Sequence, residues 1–439
     1  MSSSKTVDRE TPVQAALVIH PDREGRTGAR GPDARLQEAV GLALALDLDV
    51  RQALVVTLRR LTPATLFGKG KVEEIGFILE QEGADVVVID DALTPVQQRN
   101  LEKAWGAKVV DRTGLILEIF ARRARTREGR LQVELARLTY ERSRLVRTWT
   151  HLERQRGGFG VMGGPGETQI ETDRRLIAEK IGKLKRELIE VRRTRTLQRS
   201  ARRRTPFPTV ALVGYTNAGK STLFNRLTAA AVVAEDMLFA TLDPTLRLLK
   251  LPDGRPAIIS DTVGFISDLP HELVEAFRAT LEEVAEADVV LHVRDIASAE
   301  TEAQAQDVRG VMERLGVDMA ERHILEVWNK SDLLPESSRA EVAVDARRHV
   351  PPAILVSATT GAGAPELLAA VAGLVDEAPP VDVSITASDG AALAWLYRHG
   401  RVIKRSDTEA GDVRLSVSLT AQAMGQFERQ FPRAHLGER

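Results

Sequence analysis

Residues 210–224 read Val210-Ala-Leu-Val-Gly-Tyr-Thr-Asn-Ala-Gly-Lys-Ser-Thr-Leu-Phe224, and this stretch decides the fold. An apolar, strand-like run precedes the pattern G-x-x-x-x-G-K-S, which extends from Gly214 to Ser221, and a helix-compatible run follows it. Glycines allow backbone N–H groups to surround phosphate oxygens, and the N-terminus of the following helix adds a favourable dipole. Lys220 would neutralise the β- and γ-phosphates, and the Ser221 hydroxyl would coordinate Mg²⁺. The stretch therefore predicts a P-loop and a nucleotide site.

A second motif, Asp261-Thr-Val-Gly264, follows an apolar run at residues 257–260. An aspartate at the end of a strand would support Mg²⁺ from its outer coordination shell, and the Gly264 N–H would detect the γ-phosphate. The D-x-x-G pattern is common when it stands alone. Its position after the P-loop lysine, where a second strand of the sheet should end, makes it part of the same predicted site.

A third motif determines which base is bound. Asn329-Lys-Ser-Asp332 follows another apolar, strand-like run. The Asp332 carboxylate can accept hydrogen bonds from N1–H and the 2-amino group of guanine, and adenine lacks this pair of donors. Asn329 would brace the loop and contact the base, and the Lys330 stem would cover its face. A backbone N–H in Ser357-Ala-Thr359 would reach the guanine O6. The motifs together predict that the nucleotide is GTP.

The threonine that completes Mg²⁺ coordination should lie in a switch segment before Asp261. Phe239-Ala-Thr-Leu-Asp-Pro-Thr245 offers Thr241 and Thr245. We favour Thr241 because Pro244 stiffens the chain just before Thr245. The alternative is that Thr241 is an ordinary turn residue.

Each motif contributes residues to the predicted site. The predicted catalytic residues are Lys220, Thr241 and Gly264, and the predicted Mg²⁺ ligands are Ser221 and Thr241. The predicted nucleotide-binding residues are Gly214, Tyr215, Thr216, Asn217, Ala218, Gly219, Lys220, Ser221, Phe239, Ala240, Thr241, Leu242, Asp243, Asp261, Thr262, Val263, Gly264, Asn329, Lys330, Ser331, Asp332, Ser357, Ala358 and Thr359.

Strand-like and helix-like runs alternate along most of the chain, which predicts an α/β protein. Its P-loop GTPase domain should have a mostly parallel sheet with helices on both faces. Leucines and isoleucines at heptad-like spacing, on either side of a glycine-rich stretch, predict a long antiparallel helical hairpin. We expect an N-terminal α/β subdomain (residues 1–125), a basic hairpin (126–204) with a glycine-rich tip loop (150–168), the GTPase domain (205–378) and a small C-terminal α/β module (379–439).

The composition excludes several classes of protein. Cysteine is absent from the 439 residues, so disulfides and thiolate metal sites are excluded. The N-terminal sequence MSSSKTVDRE is polar and lacks the apolar core of a signal peptide. No apolar run approaches the roughly 18–20 residues that a membrane span needs. We therefore expect a cytoplasmic protein without a transmembrane segment.

The net charge of −1 conceals a strongly basic segment. Between residues 121 and 204, 24 Lys and Arg residues stand against 10 Asp and Glu, so this segment carries +14 and the remainder −15. A basic block in an otherwise acidic chain favours a localised contact with a polyanion such as nucleic acid. The alternative is a solvated, arginine-rich helical face.

Motifs outside the nucleotide site point to one family. They are Thr65-Leu-Phe-Gly-Lys-Gly-Lys-Val-Glu-Glu74, Leu93-Thr-Pro-Val-Gln-Gln98, Val110-Asp-Arg-Thr-Gly-Leu-Ile-Leu117 and Gly163-Gly-Pro-Gly-Glu-Thr-Gln-Ile-Glu-Thr-Asp-Arg-Arg175. With them, nearly the whole chain resembles the HflX family of translation-factor-class, ribosome-associated GTPases. Many relatives carry an arginine just before the Gly-Pro-Gly, where this chain has Met162-Gly-Gly164 in a loop one residue longer. No role is therefore assigned to that arginine.

The resemblance implies binding to the large ribosomal subunit and GTP-dependent separation of stalled or idle ribosomes. The hairpin would contact ribosomal RNA phosphates through Arg154, Arg156, Arg174 and Arg175. Two alternatives stay open: the hairpin serves internal packing, or the GTPase acts on free RNA in ribosome assembly or RNA modification. A modifying enzyme would need a second catalytic centre, and neither a Cys nucleophile nor clustered His residues are present. We expect a monomer.

Two residues bear on the rate of hydrolysis. Many GTPases place a glutamine after the D-x-x-G glycine to orient the attacking water, and this chain has Phe265 there. We therefore expect GTP hydrolysis that is slow alone and stimulated by a partner, for which the resemblance implies the ribosome. Asn217 occupies a P-loop position at which some related GTPases hold K⁺. Either Asn217 helps to hold K⁺ beside the phosphates, or it only braces the loop.

Overall fold

The N-terminal part of the chain folds around a parallel sheet. The computed structural model describes residues 13–23, 30–155, 165–202, 207–228, 237–269, 273, 283–314, 316–317, 323–375, 381–386, 389–407, 412–419, 421–432 and 435–436. The first elements are β1 (Ala15–Arg23), α1 (Pro32–Leu44), β2 (Asp49–Leu58), α2 (Lys69–Glu82), β3 (Val86–Ile89), α3 (Pro95–Trp105), β4 (Lys108–Asp111) and α4 (Arg112–Arg123). The strand order is β2-β1-β3-β4, and every pair is parallel. The predicted N-terminal α/β fold with a parallel sheet is confirmed.

Two long helices follow, α5 (Arg127–Gln155) and α6 (Pro165–Arg202), and they pack against each other. Arg127 in the first turn of α5 lies 3.9 Å from Glu187, beyond the midpoint of α6. The loop expected at residues 150–168 is too long: residues 150–155 belong to α5 and residues 165–168 to α6. Proline suits the first helical position, where its missing N–H would have no intrahelical partner, so α6 begins at Pro165. The remaining tip residues, 156–164, lie outside the described residues.

A six-stranded sheet forms the centre of the GTPase domain. Its elements are β5 (Thr209–Gly214), α7 (Lys220–Thr228), β6 (Thr245–Lys250), β7 (Pro256–Asp261), β8 (Val289–Asp295), α8 (Thr301–Arg314), β9 (His323–Asn329), a 3₁₀ turn (Ser331–Leu333), α9 (Glu336–Arg348), β10 (Ala353–Leu355) and α10 (Ala364–Leu374). The strand order is β10-β9-β8-β5-β7-β6. Only the edge strand β6 is antiparallel to its neighbour. The predicted mostly parallel P-loop sheet is confirmed.

The C-terminal residues form a small α/β module with an antiparallel sheet. Its elements are β11 (Val381–Ile385), α11 (Gly390–His399), β12 (Arg401–Asp407), β13 (Val413–Ser418), α12 (Ala421–Gln430) and β14 (His435–Leu436), with the strand order β12-β13-β11-β14. Leu396 of α11 and Phe427 of α12 are buried against the sheet. Nowhere in the described part of the chain is a helix both long enough and apolar enough to cross a bilayer.

The N-terminal and GTPase sheets share one apolar core. A single cluster of buried side chains contains Val18 of β1, Leu42 of α1 and Phe120 of α4 together with Phe239 and Phe265 of the GTPase domain. Burial of this apolar surface away from water is the main force holding the two sheets together. The shared core therefore places the segments around the nucleotide site directly against the N-terminal part.

Candidate nucleotide-binding site

The P-loop connects β5 to α7, and two of its glycines are required by close backbone approach. A side chain at Gly214 would overlap the Val293 carbonyl oxygen, and one at Gly219 would overlap the Asn329 side chain. The φ angles of 155° at Gly214 and 87° at Gly219 also lie in the region that favours glycine. The loop consequently keeps the compact path that turns its N–H groups toward a phosphate.

Lys220 begins α7 and is the buried cation of the loop. Its Nζ donates hydrogen bonds to the carbonyl oxygens of Gly214 (3.2 Å) and Tyr215 (2.8 Å). Burial lowers the pKa of Lys220 to about 8, and the nearby carboxylate of Asp261 opposes this shift. A phosphate would replace neutral carbonyl partners by charged ones, so the site favours an anionic ligand.

Three oxygen-bearing side chains converge beside Lys220. Ser221 Oγ donates to Asp261 Oδ2 at 2.6 Å, Thr241 Oγ1 donates to the same oxygen at 3.0 Å, and the two hydroxyls are 2.9 Å apart. The other carboxylate oxygen of Asp261, Oδ1, is buried and has no hydrogen-bond partner among the described residues. Mg²⁺ is bound by hard oxygen ligands of this kind. The donor set therefore fits Mg²⁺.

The D-x-x-G segment lies directly against the P-loop. Phe265 N–H donates to the Gly214 carbonyl at 3.1 Å, and Thr216 N–H donates to the Phe265 carbonyl at 2.7 Å, which forms a parallel bridge. A Cβ at Gly264 would lie 2.9 Å from Thr216 Cα and 3.0 Å from Lys220 Nζ, so only glycine fits there. The Phe265 ring is 1% exposed and packs in the shared core.

The loops after β9 and β10 form the predicted base site. Asn329 Nδ2 donates to the Ala218 carbonyl at 2.9 Å, and its Oδ1 accepts from the Ala358 N–H at 3.0 Å. Both ends of this amide therefore brace the protein. Bracing the loop is one of the two roles predicted for Asn329, and contact with the base is the other. Ser357 Oγ donates to Asp332 Oδ1 at 2.6 Å and orients this carboxylate.

Comparison with known proteins identifies the family. Family models match in succession at residues 33–121 (GTP-binding GTPase N-terminal), 123–202 (GTP-binding GTPase Middle Region), 209–330 (50S ribosome-binding GTPase) and 342–437 (HflX C-terminal domain). The GTPase HflX of Magnetococcus marinus is 52% identical over 399 residues, which cover 90% of this chain and 91% of that protein. The chain belongs to the HflX family. The GTPase HflX of Escherichia coli is 44% identical and covers 88% of this chain and 89% of its own length.

Among solved structures, the complex of SsGBP with GDP covers 83% of this chain and 98% of its own, with a TM-score of 0.49 and 23% identity. The family itself was predicted from the sequence, and that prediction is confirmed. As an HflX-family GTPase, the chain is a GTP-binding protein of the GTP-hydrolase class.

A pocket of this HflX-family GTPase is lined by ten of the 24 residues predicted from the motifs, all of them in the P-loop, the switch segment and the D-x-x-G segment. It is lined by Thr216, Asn217, Gly219, Lys220, Ser221, Thr222, Met237, Phe239, Ala240, Thr241, Thr262 and Gly264. Thr222 and Met237 were missed. Thr222 directly follows the motif serine and could have been found by extending the pattern, whereas nothing in the sequence singles out Met237.

Among the predicted residues that do not line this pocket, Leu242, Val263 and Asp243 direct their side chains toward the N-terminal part. Leu242 and Val263 are buried in the shared core because both are apolar and adjoin the N-terminal part. The Asp243 carboxylate instead accepts hydrogen bonds from residues 125 and 126. A further residue that the sequence did not reveal is Arg226 of α7, whose guanidinium donates to the Ala358 carbonyl at 3.1 Å and supports the base loop.

A buried polar network joins the P-loop to the N-terminal part. The Tyr215 hydroxyl donates to the Glu38 carboxylate and accepts from the Ser267 N–H at 2.8 Å. Arg112 lies 2.5 Å from Glu38 and 2.5 Å from Asp90, and donates to the Ser267 carbonyl at 2.9 Å. Burial opposes the charge of Arg112, but the two carboxylates raise the pKa of Arg112 above its ordinary value. The same two carboxylates thus keep this buried arginine charged.

Proposed function

We propose that this HflX-family GTPase hydrolyses GTP to GDP and phosphate to control its binding to the large ribosomal subunit. GTP-dependent binding would separate stalled or idle ribosomes into subunits. The observation that carries the proposal is the direct contact between the nucleotide site and the base of the basic arm: Asp243, two residues after Thr241, binds the backbone at Arg125 and Thr126. The match of residues 209–330 to a family described as a 50S ribosome-binding GTPase supports the partner.

The side chains around the pocket have distinct roles in this proposal. Lys220 binds the β- and γ-phosphates as a cation, and the Gly264 N–H contacts the γ-phosphate. Ser221 and Thr241 would hold Mg²⁺ directly, and Asp261 would hold it through the hydrogen bonds of its carboxylate. Mg²⁺, when bound, neutralises charge on the phosphate oxygens.

Base selection rests on Asp332. Its carboxylate accepts from N1–H and the 2-amino group of guanine, while Ser357 keeps the carboxylate oriented. Because adenine offers no such pair of donors, the carboxylate would lose its partners and ATP would be rejected. Asn329 acts by holding the P-loop and the loop at residue 358 together.

Hydrolysis without a partner should be slow. The apolar ring of Phe265 is buried where many GTPases place a glutamine, so it cannot orient water. We propose that binding to the ribosome stabilises the switch segments and accelerates the reaction. Asn217 lines the pocket and is exposed, so a cation can reach it. We propose that K⁺ supplies extra positive charge there. Equal turnover in KCl and in NaCl would reject the K⁺ proposal.

The RNA contact is proposed for the basic arm. Arg174 and Arg175 near the start of α6 are exposed, and residues 121–204, which include the arm, carry a net charge of +14. Phosphate contacts of this kind give affinity that falls with added salt. Since a single arm is enough for this contact, we propose that the protein acts as a monomer in the cytoplasm.

Cosedimentation tests the proposed function. The full-length protein is mixed with purified 50S subunits, 30S subunits or 70S ribosomes and with either a non-hydrolysable GTP analogue or GDP, and is then pelleted through sucrose. We expect the protein to pellet with 50S subunits in the analogue state, and 70S particles to split. Absence from the 50S pellet in that state would overturn the proposal. Equal binding to unfolded ribosomal RNA would instead favour a GTPase of ribosome assembly.

A further inference from the structure

The segment that carries Thr241 is attached to the base of the hairpin. The Asp243 carboxylate accepts hydrogen bonds from the backbone N–H groups of Arg125 (2.8 Å) and Thr126 (2.9 Å), and from Thr126 Oγ1 (2.5 Å). Hydrogen bonds to a charged acceptor are among the strong ones in proteins. These residues immediately precede α5, which starts at Arg127.

Gly129 makes this contact possible. It is the third residue of α5, and its N–H donates to the capping hydroxyl oxygen of Thr126 at 3.0 Å. A Cβ added to Gly129 would overlap Asp243 Oδ1. Glycine within a helix is otherwise destabilising relative to alanine. The close approach of the carboxylate therefore gives a physical reason for glycine at this position.

The same segment is fixed on the other side of Thr241. The Phe239 ring packs edge-on against Phe120 of α4, with 4.7 Å between the ring centroids. Leu238 lies so close to α1 that a Cβ at Gly41 would be 3.1 Å from its Cδ1. Thr241 thus lies between two attachments to the N-terminal part, each only two residues away.

We propose that Asp243 is a positioning residue for GTP hydrolysis: its attachment to the first turn of α5 holds Thr241 at the oxygen cluster of Ser221 and Asp261. This inference rests on the proposed role of Thr241 as a Mg²⁺ ligand. Asp243 itself contacts neither the nucleotide nor the metal. A displacement of the arm at its base would move Thr241, because two residues of chain span only about 7 Å.

The Mg²⁺ dependence of GTP hydrolysis by the full-length protein tests the inference. We expect Gly129→Ala to raise the Mg²⁺ concentration needed for half-maximal kcat by about tenfold, since it expels the carboxylate from its hydrogen bonds. Asp243→Ala should do the same, and Asp243→Asn, which keeps one acceptor oxygen, should restore part of the loss. GDP affinity measured without Mg²⁺ should stay at the parental value in all three variants, which also shows that they fold.

Two controls make the test specific. Gly182→Ala in α6 adds the same methyl group to a helix of the arm, where the nearest atom is 3.7 Å away, and should leave the Mg²⁺ dependence unchanged. In a double-mutant cycle, Gly129→Ala should add nothing once Asp243 is alanine, because the atom that it displaces is gone. An additive effect would show that Gly129→Ala acts by crowding Thr126, and would overturn the inference.

The Thr241→Ala variant separates this inference from the proposed function. An unchanged Mg²⁺ dependence in Thr241→Ala would contradict the proposed metal ligand itself. If Thr241→Ala raises the Mg²⁺ requirement while Gly129→Ala and Asp243→Ala do not, the metal role stands and the positioning role of Asp243 is wrong.

Discussion

Lys220 is buried in the P-loop against two carbonyl oxygens, and burial lowers its pKa to about 8. A bound phosphate requires the charged ammonium, so nucleotide binding above pH 8 must take up a proton. Below pH 8 the lysine is already charged, so it contributes no pH dependence to nucleotide binding. As far as Lys220 is concerned, we expect the GDP affinity to be constant from pH 7 to 8 and to fall by up to about tenfold per pH unit above pH 8. Calorimetry measures this affinity.

The control for this prediction is Lys220→Met. It should weaken GDP binding at every pH and remove the part of the pH dependence that the lysine contributes. The same slope above pH 8 in the parent and the variant would assign the slope to another group, such as the guanine itself.

Asp332 provides a second residue-scale prediction. In Asp332→Asn the amide N–H₂ would face the two donors of guanine, whereas xanthine offers a carbonyl at C2. We expect the affinity for GTP to fall by about 100-fold or more, and the affinity for XTP to rise. Competition with a fluorescent nucleotide measures both. Asp345→Asn, which alters an exposed acid on α9, should change neither affinity.

At the scale of single residues, sequence predicts those roles whose chemistry is local to a motif. Lys220, Ser221 and Asp261 meet in the structure as expected, and Thr241 joins them. The partners of Asp243 could not be predicted, because they lie 118 and 117 residues away in the chain, in the connection between α4 and α5. A D-P turn in a switch segment gives no sign of what its carboxylate binds.

At the scale of elements, helix α4 carries an arginine that joins the two sheets. Arg112→Met should destabilise the protein by about 3–5 kcal/mol, because it removes the guanidinium that the buried carboxylates of Glu38 and Asp90 share. Urea denaturation followed by tryptophan fluorescence measures the change in the free energy of unfolding.

The matched control is Arg122→Met on the same helix. Arg122 forms a largely exposed ion pair with Asp47 at 3.1 Å, so its loss should cost no more than about 1 kcal/mol. Similar losses for the two variants would show that the buried network contributes no more than a surface pair.

The sequence predicts the positions of buried strands and helices. It predicts less well where the edge strands lie and which faces of a helix are buried. Strand β6 has a weak apolar signal in the sequence, because it is an edge strand with mixed burial. In α5, Leu131, Leu135 and Leu138 stand at heptad spacing but are only partly buried, and Val133 and Ala136 enter the shared core instead. A helix that packs against both α6 and the N-terminal part buries two faces, and a single seam cannot describe it.

At the scale of the whole molecule, the prediction concerns the basic arm. Arg174→Ala with Arg175→Ala should lower the affinity for 50S subunits and reduce its dependence on salt, because two phosphate contacts are removed. Binding is measured by cosedimentation between 50 and 200 mM KCl. The adjacent pair Arg347 and Arg348, exposed at the end of α9, gives the control: its double alanine variant should bind as the parent does. Equal losses in both variants would mean that overall charge, not the arm, sets the affinity.

The fold class follows from the sequence, because it depends on local patterns and on strand connections. The shared core does not, since hydrophobic periodicity tells which face of an element is buried but not against which partner. Phe239 and Phe265 illustrate this limit: each reads as a residue of the nucleotide site, and each is buried beside the N-terminal sheet.

If the hydrogen bonds from residues 125 and 126 to Asp243 position Thr241 as proposed, the arm and the nucleotide act on one equilibrium. Linkage between two binding sites is reciprocal. If the arm's partner raises the affinity for Mg²⁺–GTP by some factor, Mg²⁺–GTP raises the affinity for the partner by the same factor. A coupling of about 1–3 kcal/mol corresponds to roughly 5–150-fold. Loss of the γ-phosphate would then lower the affinity of the arm for its partner by that factor. The residence time on the partner would therefore be set by the lifetime of the bound GTP.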